Sequence, residues 1–587
     1  MNALKIVILG LFAGLLCATA SAQTSRFPLT LNTRQLHIPP KAQHVRSPMY
    51  RYLASDEGRA WMQVSGDPRS SFFNRRFGGP SSVALEQART LLRQLNAQPQ
   101  QVETEPAPGS APCNGKAGVR FNLEPRANAL PQFEATADFI LNGAGTGSDL
   151  IVQAADDARA NVNNGKWDGS ISGYYVHASS TSDCSVQFEG GLPNFGNTLA
   201  LGEAVVAADS VRGAFFMADN RLPGGVALFR AAATDLLNPA KCPNGTHTQQ
   251  QAESCWMQTP PVQVDASDGD NTELGLAVDE RATGAGKGAG DVYLVGEDQS
   301  VYIVACTDLL KCSSMVSIDT GDGYNAPFVQ VRADGTITVS YMQQITGKVS
   351  QLVEFVTCTP AGAPKAPVCG KPTTVATVAN PLFLGGSEAS FVGPLGFSYT
   401  QHANRQESDG SFTTFLVYDD CTNAYVPPPP PNDQPTYCLS TRVHVTFSTD
   451  NGQTWSPPAV VDTKSGFHVF PTITNDASTG TVSIAHYSTE GDYFEHEIRV
   501  VLNQIAAGST ALGPPQTVTS FTPTDDPPGL GFQIVVGFDL YMGAVAHGTG
   551  KTGESHLYLS FDSEAANGTY NGKPLPELNN QIKLLTF

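Results

Sequence analysis

From about residue 132 to the end of the chain, one four-part pattern keeps returning. An apolar strand-like opening leads to a second run that ends in polar residues, then a third run, a turn and a short fourth. The openings read ATADFIL, GEAVVAAD, TELGLAVD, NAPFVQVR, EASFVGPLG, HVFPTITND and DLYMGAVAH. The matching third runs read SGYYVHAS, GVALFRAA, SVYIVAC, LVEFVTC, RVHVTFS, HEIRVVL and HLYLSFD. They are rich in β-branched and aromatic residues, and Gly, Asn, Asp and Pro separate them, which is strand chemistry punctuated by turns. One such unit cannot bury its own apolar faces, so its neighbours must stack against it.

Seven matched sets predict an all-β fold with seven four-stranded blades; six is the alternative if one set is irregular. A closed ring of blades, a β-propeller, hides its sheet edges and suits an all-β chain of this length. A pair of β-sandwiches would not need the same four-strand order throughout. At 587 residues the chain exceeds one small core, and a large repeat architecture over residues 111–587 meets that requirement.

The first 110 residues differ. MNALKIVILGLFAGLLCATASA has one Lys, an apolar run and a small-residue end, the pattern of a secretory signal cleaved after Ala22. A membrane anchor is the competing reading, but the run is short for a span. No later stretch is apolar enough to cross a bilayer, so the expectation is a secreted or periplasmic chain with no membrane span after cleavage. Residues 23–100 carry 11 basic and 4 acidic residues, although the whole chain has a net charge of -19. This basic extension is either solvated or bound to an acidic surface such as the propeller's own. Within it SSVALEQARTLLRQL places Leu85, Ala88, Leu92 and Leu95 on one helical face. NAQPQQVETEPAPGSAP then reads as a linker. The acidic body argues against a nucleic-acid partner.

Eleven cysteines become ten once Cys17 leaves with the signal, an even number in an exported chain. Spacing suggests the local pairs Cys242–Cys255, Cys306–Cys312, Cys358–Cys369 and Cys421–Cys438, leaving Cys113 for Cys184. The first three pairs fall between third and fourth strands. The last encloses the polyproline loop YVPPPPPNDQPTY, a stiff spacer. Neither a CxxC nor a His/Cys cluster at zinc spacing occurs, so disulfides are expected and a metal site is not.

One hairpin is distinctive. FSTDNGQTW follows the strand RVHVTF, and Ser448-Thr-Asp450-Asn-Gly452-Gln-Thr454-Trp455 matches the Asp-box pattern SxDxGxTW. On this motif the chain resembles the sialidase superfamily of BNR-repeat β-propellers. A degenerate copy runs from Thr181 to Phe188. The residues themselves suggest a structural clasp. Asp450 and Ser448 can bond the turn's own backbone, Gly452 can take a positive φ, and Trp455 can bury its ring with its N–H on a local acceptor. In the family the ligand site lies at the opposite mouth, lined by blade-to-blade connections and second-to-third strand loops.

The resemblance implies a glycan partner, an extracellular protein being the alternative. Sialidases hold a substrate carboxylate with three arginines and use a tyrosine nucleophile assisted by a glutamate, with an aspartic acid as acid/base. Arg159 in AADDAR, Arg221 in MADNR and Arg405 in TQHANR are read as equivalent second-strand ends and as clamp candidates. Tyr541 is the nucleophile candidate, Asp157 or Asp219 the acid, and Glu203, Glu297 and His402 further mouth residues. His468, His486 and Tyr487 are also placed at this mouth, with histidines at strand ends expected on the surface. The competing reading of each Asp-x-Arg is an ion pair that fixes its own loop. The family's Phe-Arg-Ile-Pro segment has no match, the nearest being RFNLEPR at 120–126. No cofactor is expected; Asp265, Asp268 and Asp270 in DASDGDNTE could supply oxygens to a structural Ca²⁺. Two functions stay open: a sialidase-like glycoside hydrolase, and a non-catalytic propeller that binds a glycan or protein.

Overall fold

The computed structural model describes residues 54–65, 70–97 and most of 122–586; the longest internal stretches outside it are 98–121, 124–131, 158–171, 266–273, 385–398, 426–436, 490–497 and 522–542. It is a β-propeller. Six blades run from innermost to outermost strand in chain order, over residues 132–191, 199–265, 274–317, 324–379, 400–460 and 468–521, the fifth interrupted by Ala424–Tyr425 and Tyr437–Cys438, which form a small separate sheet with Phe383–Leu384. A further four-stranded sheet joins Gly543–Gly548, Ser555–Tyr570 and Lys573–Thr586 to Asn122–Leu123, which pairs with the last of these. The innermost strands touch in sequence from blade one round to this closing sheet and back to blade one.

This topology corrects two strand assignments. HLYLSFD is the second strand of the closing sheet, because its outermost strand comes from RFNLEPR rather than from the C-terminal segment. TQHANR is the innermost strand of blade five, Thr400–Gln406, not a second strand. The opening EASFVGPLG lies outside the described residues.

Apolar side chains hold the blades together face to face. Leu150, Val152 and Tyr174 of blade one meet Phe215, Met217 and Phe229 of blade two. Phe415, Val417 and Val445 of blade five meet Ile473 and Ile484 of blade six. A blade is sandwiched on both faces, so Val292–Glu297 and Val301–Cys306 are buried along their whole length. Closure has a polar seam as well. Asp149 of blade one accepts hydrogen bonds from His556 Nδ1 at 2.7 Å and the Tyr558 hydroxyl at 2.8 Å.

Three disulfides, Cys242–Cys255, Cys306–Cys312 and Cys358–Cys369, sit between third and fourth strands as the spacing predicts. Cys421 is also disulfide-bonded. The side chains of Cys184 and Cys438, and all of Cys113, lie outside the described residues. The N-terminal extension contains helices Asp56–Ser65, Ser70–Phe77 and Ser82–Ala97. Ser81 caps the last of these through the Ala84 N–H at 3.2 Å.

Candidate functional site

In a four-stranded meander the first and third turns share one face, and the second-to-third loops share the other with the blade connections. The hairpin at 448–456 therefore defines a clasp face. Its geometry is closed on itself. Asp450 Oδ1 accepts from the Thr454 N–H at 2.9 Å and from the Ser448 hydroxyl at 2.8 Å, and Oδ2 accepts from the Thr454 hydroxyl at 2.6 Å. The Gly452 N–H donates to Ser448 Oγ at 2.8 Å, and Trp455 Nε1 donates to the Gly452 carbonyl at 3.1 Å. The Thr454 hydroxyl leads the donors that hold the Asp450 carboxyl down at about 2. An acid so fully engaged is unsuited to proton transfer.

The innermost strands enclose a channel cavity of about 380 Å³. Its wall carries Gln330, Arg332, Tyr399, Gln401, Asn404, Phe412, Thr472, Thr474 and Asn475. A network stiffens the clasp-side wall. Arg332 donates to Asn404 Oδ1 at 3.0 Å, to Thr414 Oγ1 at 2.7 Å and to Asn451 Oδ1 of the clasp at 2.6 Å. It is a buried cation that donates to these neutral oxygens, and burial lowers its pKa. Sequence patterning gave no signal for this role, because an Arg after a strand normally reads as a solvated end. By contrast Asn475 Oδ1 is buried without a hydrogen-bond partner.

The clamp candidates do not gather. Arg221 ends the second strand of blade two, away from the clasp face, and pairs with Asp219 of its own strand at 2.6 Å, both side chains fully buried. Arg405 ends an innermost strand and so sits on the clasp face. There it pairs with Glu407 at 2.8 Å and donates to the Ala506 carbonyl at 3.1 Å. The two arginines occupy opposite mouths of the propeller. Arg159 and Tyr541 lie outside the described residues, as do Asp268, Asp270 and the side chains of Asp157, Glu203 and Asp265. Glu297 is buried at the end of its strand.

His402 is a bridge between blades rather than a mouth residue. Its Nδ1 meets Ser340 Oγ at 2.9 Å and its Nε2 meets Thr338 Oγ1 at 2.7 Å. Burial, reinforced by the Arg332 cation, pushes its pKa down to about 3. Burial instead pushes the carboxyls of Asp138 and Asp419 up to about 7, against the backbone N–H groups they accept. The signs differ. A depressed histidine stabilises the fold fully above about 6.5 and loses that contribution as pH falls towards 3. A raised carboxyl contributes fully below about 4 and is lost as pH rises through 7. Between about pH 4 and 6.5 the two carboxyls outweigh the one histidine, so on these groups urea midpoints should peak near pH 4–5. His402→Gln should flatten the acid limb, and Asp419→Asn the alkaline limb, by up to about 1.4 kcal/mol per pH unit. Limbs unchanged by these substitutions would disprove the assignment.

No protein-family model matches the chain, and no curated protein sequence does. Among solved structures, the polysaccharide lyase Uly1 aligns over 77% of this chain and 90% of its own, at 10% identity and a TM-score of 0.39. The Hadza microbial sialidase Hz136 aligns over 77% and 65%, at 9% identity and a TM-score of 0.33. AofleA from Arthrobotrys oligospora aligns over 70% and 94%, at 9% identity and a TM-score of 0.33. These likenesses are too distant to carry chemistry, and the propeller stands on its own sheets and contacts.

His468 and His486, expected at the surface, are both fully buried and adjacent, with Asp462 beside them. Among the described residues these three are the group placed to hold a metal.

Proposed function

We propose that the chain is an exported, glycan-binding propeller of the sialidase-superfamily type, with the closing sheet as its seventh blade and no hydrolytic turnover of sialosides. The self-satisfied STDNGQTW clasp carries this reading, because it reproduces residue by residue the structural role of the motif. Residues 1–22 are the export signal in this reading, and three disulfides suit an oxidising compartment. The ligand site combines the channel and the mouth opposite the clasp. Amide and hydroxyl groups on the channel wall, as at Gln401, Thr474 and Asn475, suit a neutral polyhydroxylated ligand. Binding is favoured over hydrolysis because Arg221 and Arg405 are committed to carboxylates of their own blades at opposite mouths.

The test pairs immobilised glycans with fluorogenic glycosides, a sialoside included. Retention competed by free sugar, without fluorophore release, is the expected result. Asn475→Ala should weaken retention about tenfold, the loss of one good hydrogen bond. Sialoside turnover would replace binding with hydrolysis. Failure to retain any glycan would sink the glycan reading and leave a protein partner.

A further inference from the structure

We propose that Asp462, His468 and His486 bind one divalent transition-metal ion of the zinc class, at the junction of blades five and six. Asp462 lies two residues beyond the strand Ala459–Val460, in the connection that leaves blade five. His468 opens the innermost strand of blade six, and His486 lies near the end of the second strand, Thr481–Ser488. His468 pairs in register with Ser488, and His486 is two residues from Ser488, so strand alternation brings both imidazoles to one face.

The distances suit a shared ion. His468 Nδ1 and His486 Nε2 are 3.2 Å apart. Two nitrogens about 2.0–2.1 Å from one tetrahedral zinc are separated by about 3.3 Å. Asp462 Oδ2 stands 3.9 Å from His468 Nδ1, and the three ligand atoms all lie within 4.8 Å of one another. Small side-chain adjustments close that set around an ion.

Lys464 orients two of the three ligands with its backbone. Its carbonyl, which can only accept, meets His468 Nε2 at 2.8 Å. The ring proton of neutral His468 is therefore on Nε2, and the Nδ1 lone pair points towards His486. The Lys464 N–H donates to Asp462 Oδ1 at 3.0 Å, leaving Oδ2 directed at the histidines. Orientation of ligating imidazoles and carboxylates by a second layer of hydrogen bonds is the usual support of a metal site.

Without an ion the arrangement is poorly satisfied. Asp462 Oδ2 is buried with no hydrogen-bond partner. A direct hydrogen bond from His486 Nε2 to His468 Nδ1 leaves Asp462 Oδ2 as it is, a buried anionic oxygen facing a neutral ring. A cation among the three groups answers that charge and uses both lone pairs. Two imidazole nitrogens and one carboxylate oxygen favour zinc over calcium, which prefers six to eight oxygens. The fourth position is left for water or a ligand. The ligands stand 6 and 18 residues apart, with no local motif, which is why spacing in the sequence did not show them.

The site is tested on the intact chain by dialysis against Zn²⁺ followed by elemental analysis, and by Co²⁺ titration followed in the visible range. One tightly held equivalent of zinc, a tetrahedral Co²⁺ spectrum and a melting temperature raised by zinc and lowered by chelator are expected. Asp462→Asn and His486→Gln, both close in shape to the native side chains, should each weaken binding at least about tenfold. Ten histidines remain in His486→Gln and all eleven in Asp462→Asn, so adventitious binding at the nine outside the site would persist. Wild type that holds no more zinc than Asp462→Asn overturns the site. So does a Co²⁺ complex lacking the tetrahedral spectrum, a readout on wild type that does not depend on the variants folding. Neither outcome depends on glycan binding.

Discussion

Arg221→Met is expected to destabilise the propeller by about 3–5 kcal/mol, the usual cost of removing one partner from a buried ion pair. Arg221 and Asp219 are both fully shielded from solvent and 2.6 Å apart. The guanidinium also donates to the Pro193 carbonyl at 2.9 Å and lies 4.7 Å from the Phe229 ring centre. Pro193 belongs to the connection between blades one and two, so the pair pins that crossing. Burial already pushes the Asp219 carboxyl up to about 6, and Arg221 is the main force opposing that rise. Without the cation the pKa rises further. A raised carboxyl loses stability as pH increases, so the deficit of Arg221→Met should be larger at pH 8 than at pH 5. Combining it with Asp219→Leu should restore most of the loss, because an apolar pair of similar volume often replaces a buried ion pair without penalty. Urea unfolding of the four proteins of this cycle measures the coupling. A clamp arginine would behave differently: ligand binding would fall while stability and its pH dependence stayed near wild type.

The same pair shows what can be read from sequence here. Asp-x-Arg at the end of MADNR suggests both a clamp and a local ion pair, and only burial and distance separate the two. The blade pattern was legible because DVYLVG, SVYIVAC and their counterparts carry it locally. The closing sheet was not, because its outermost strand, Asn122–Leu123, pairs with residues more than 450 positions away. HLYLSFD looked like a third strand for want of that partner. TQHANR was misplaced for a related reason: with EASFVGPLG taken as the opening, the innermost strand moved one place outward, and Arg405 moved to the wrong mouth. A one-strand shift in a meander reverses the face on which a strand ends. His468 and His486 were assigned to the surface from their places at strand ends. A blade covered on both sides buries even those ends, and their relation to Asp462 exists only in the folded chain.

The second large effect is expected at the clasp. Gly452 has a φ of +81°, and a Cβ there would collide with the Phe355 ring. Phe355 cannot yield easily. It is buried, with the rings of Trp455 and His402 at 5.2 and 5.4 Å. Gly452→Val should therefore cost about 1–3 kcal/mol for the left-handed backbone and about 1–3 kcal/mol more for overpacking. The damage should also reach the channel, because Asn451 beside it accepts from Arg332, which in turn holds Asn404 on the channel wall. Asp450→Asn makes the contrast. It removes one acceptor's charge at an exposed turn and keeps the shape, so stability should change much less than in Gly452→Val and glycan retention should persist. A catalytic Asp450 predicts the reverse ranking, with Asp450→Asn abolishing turnover in a fold of unchanged stability. Thermal unfolding and glycan retention on the same two variants decide between them.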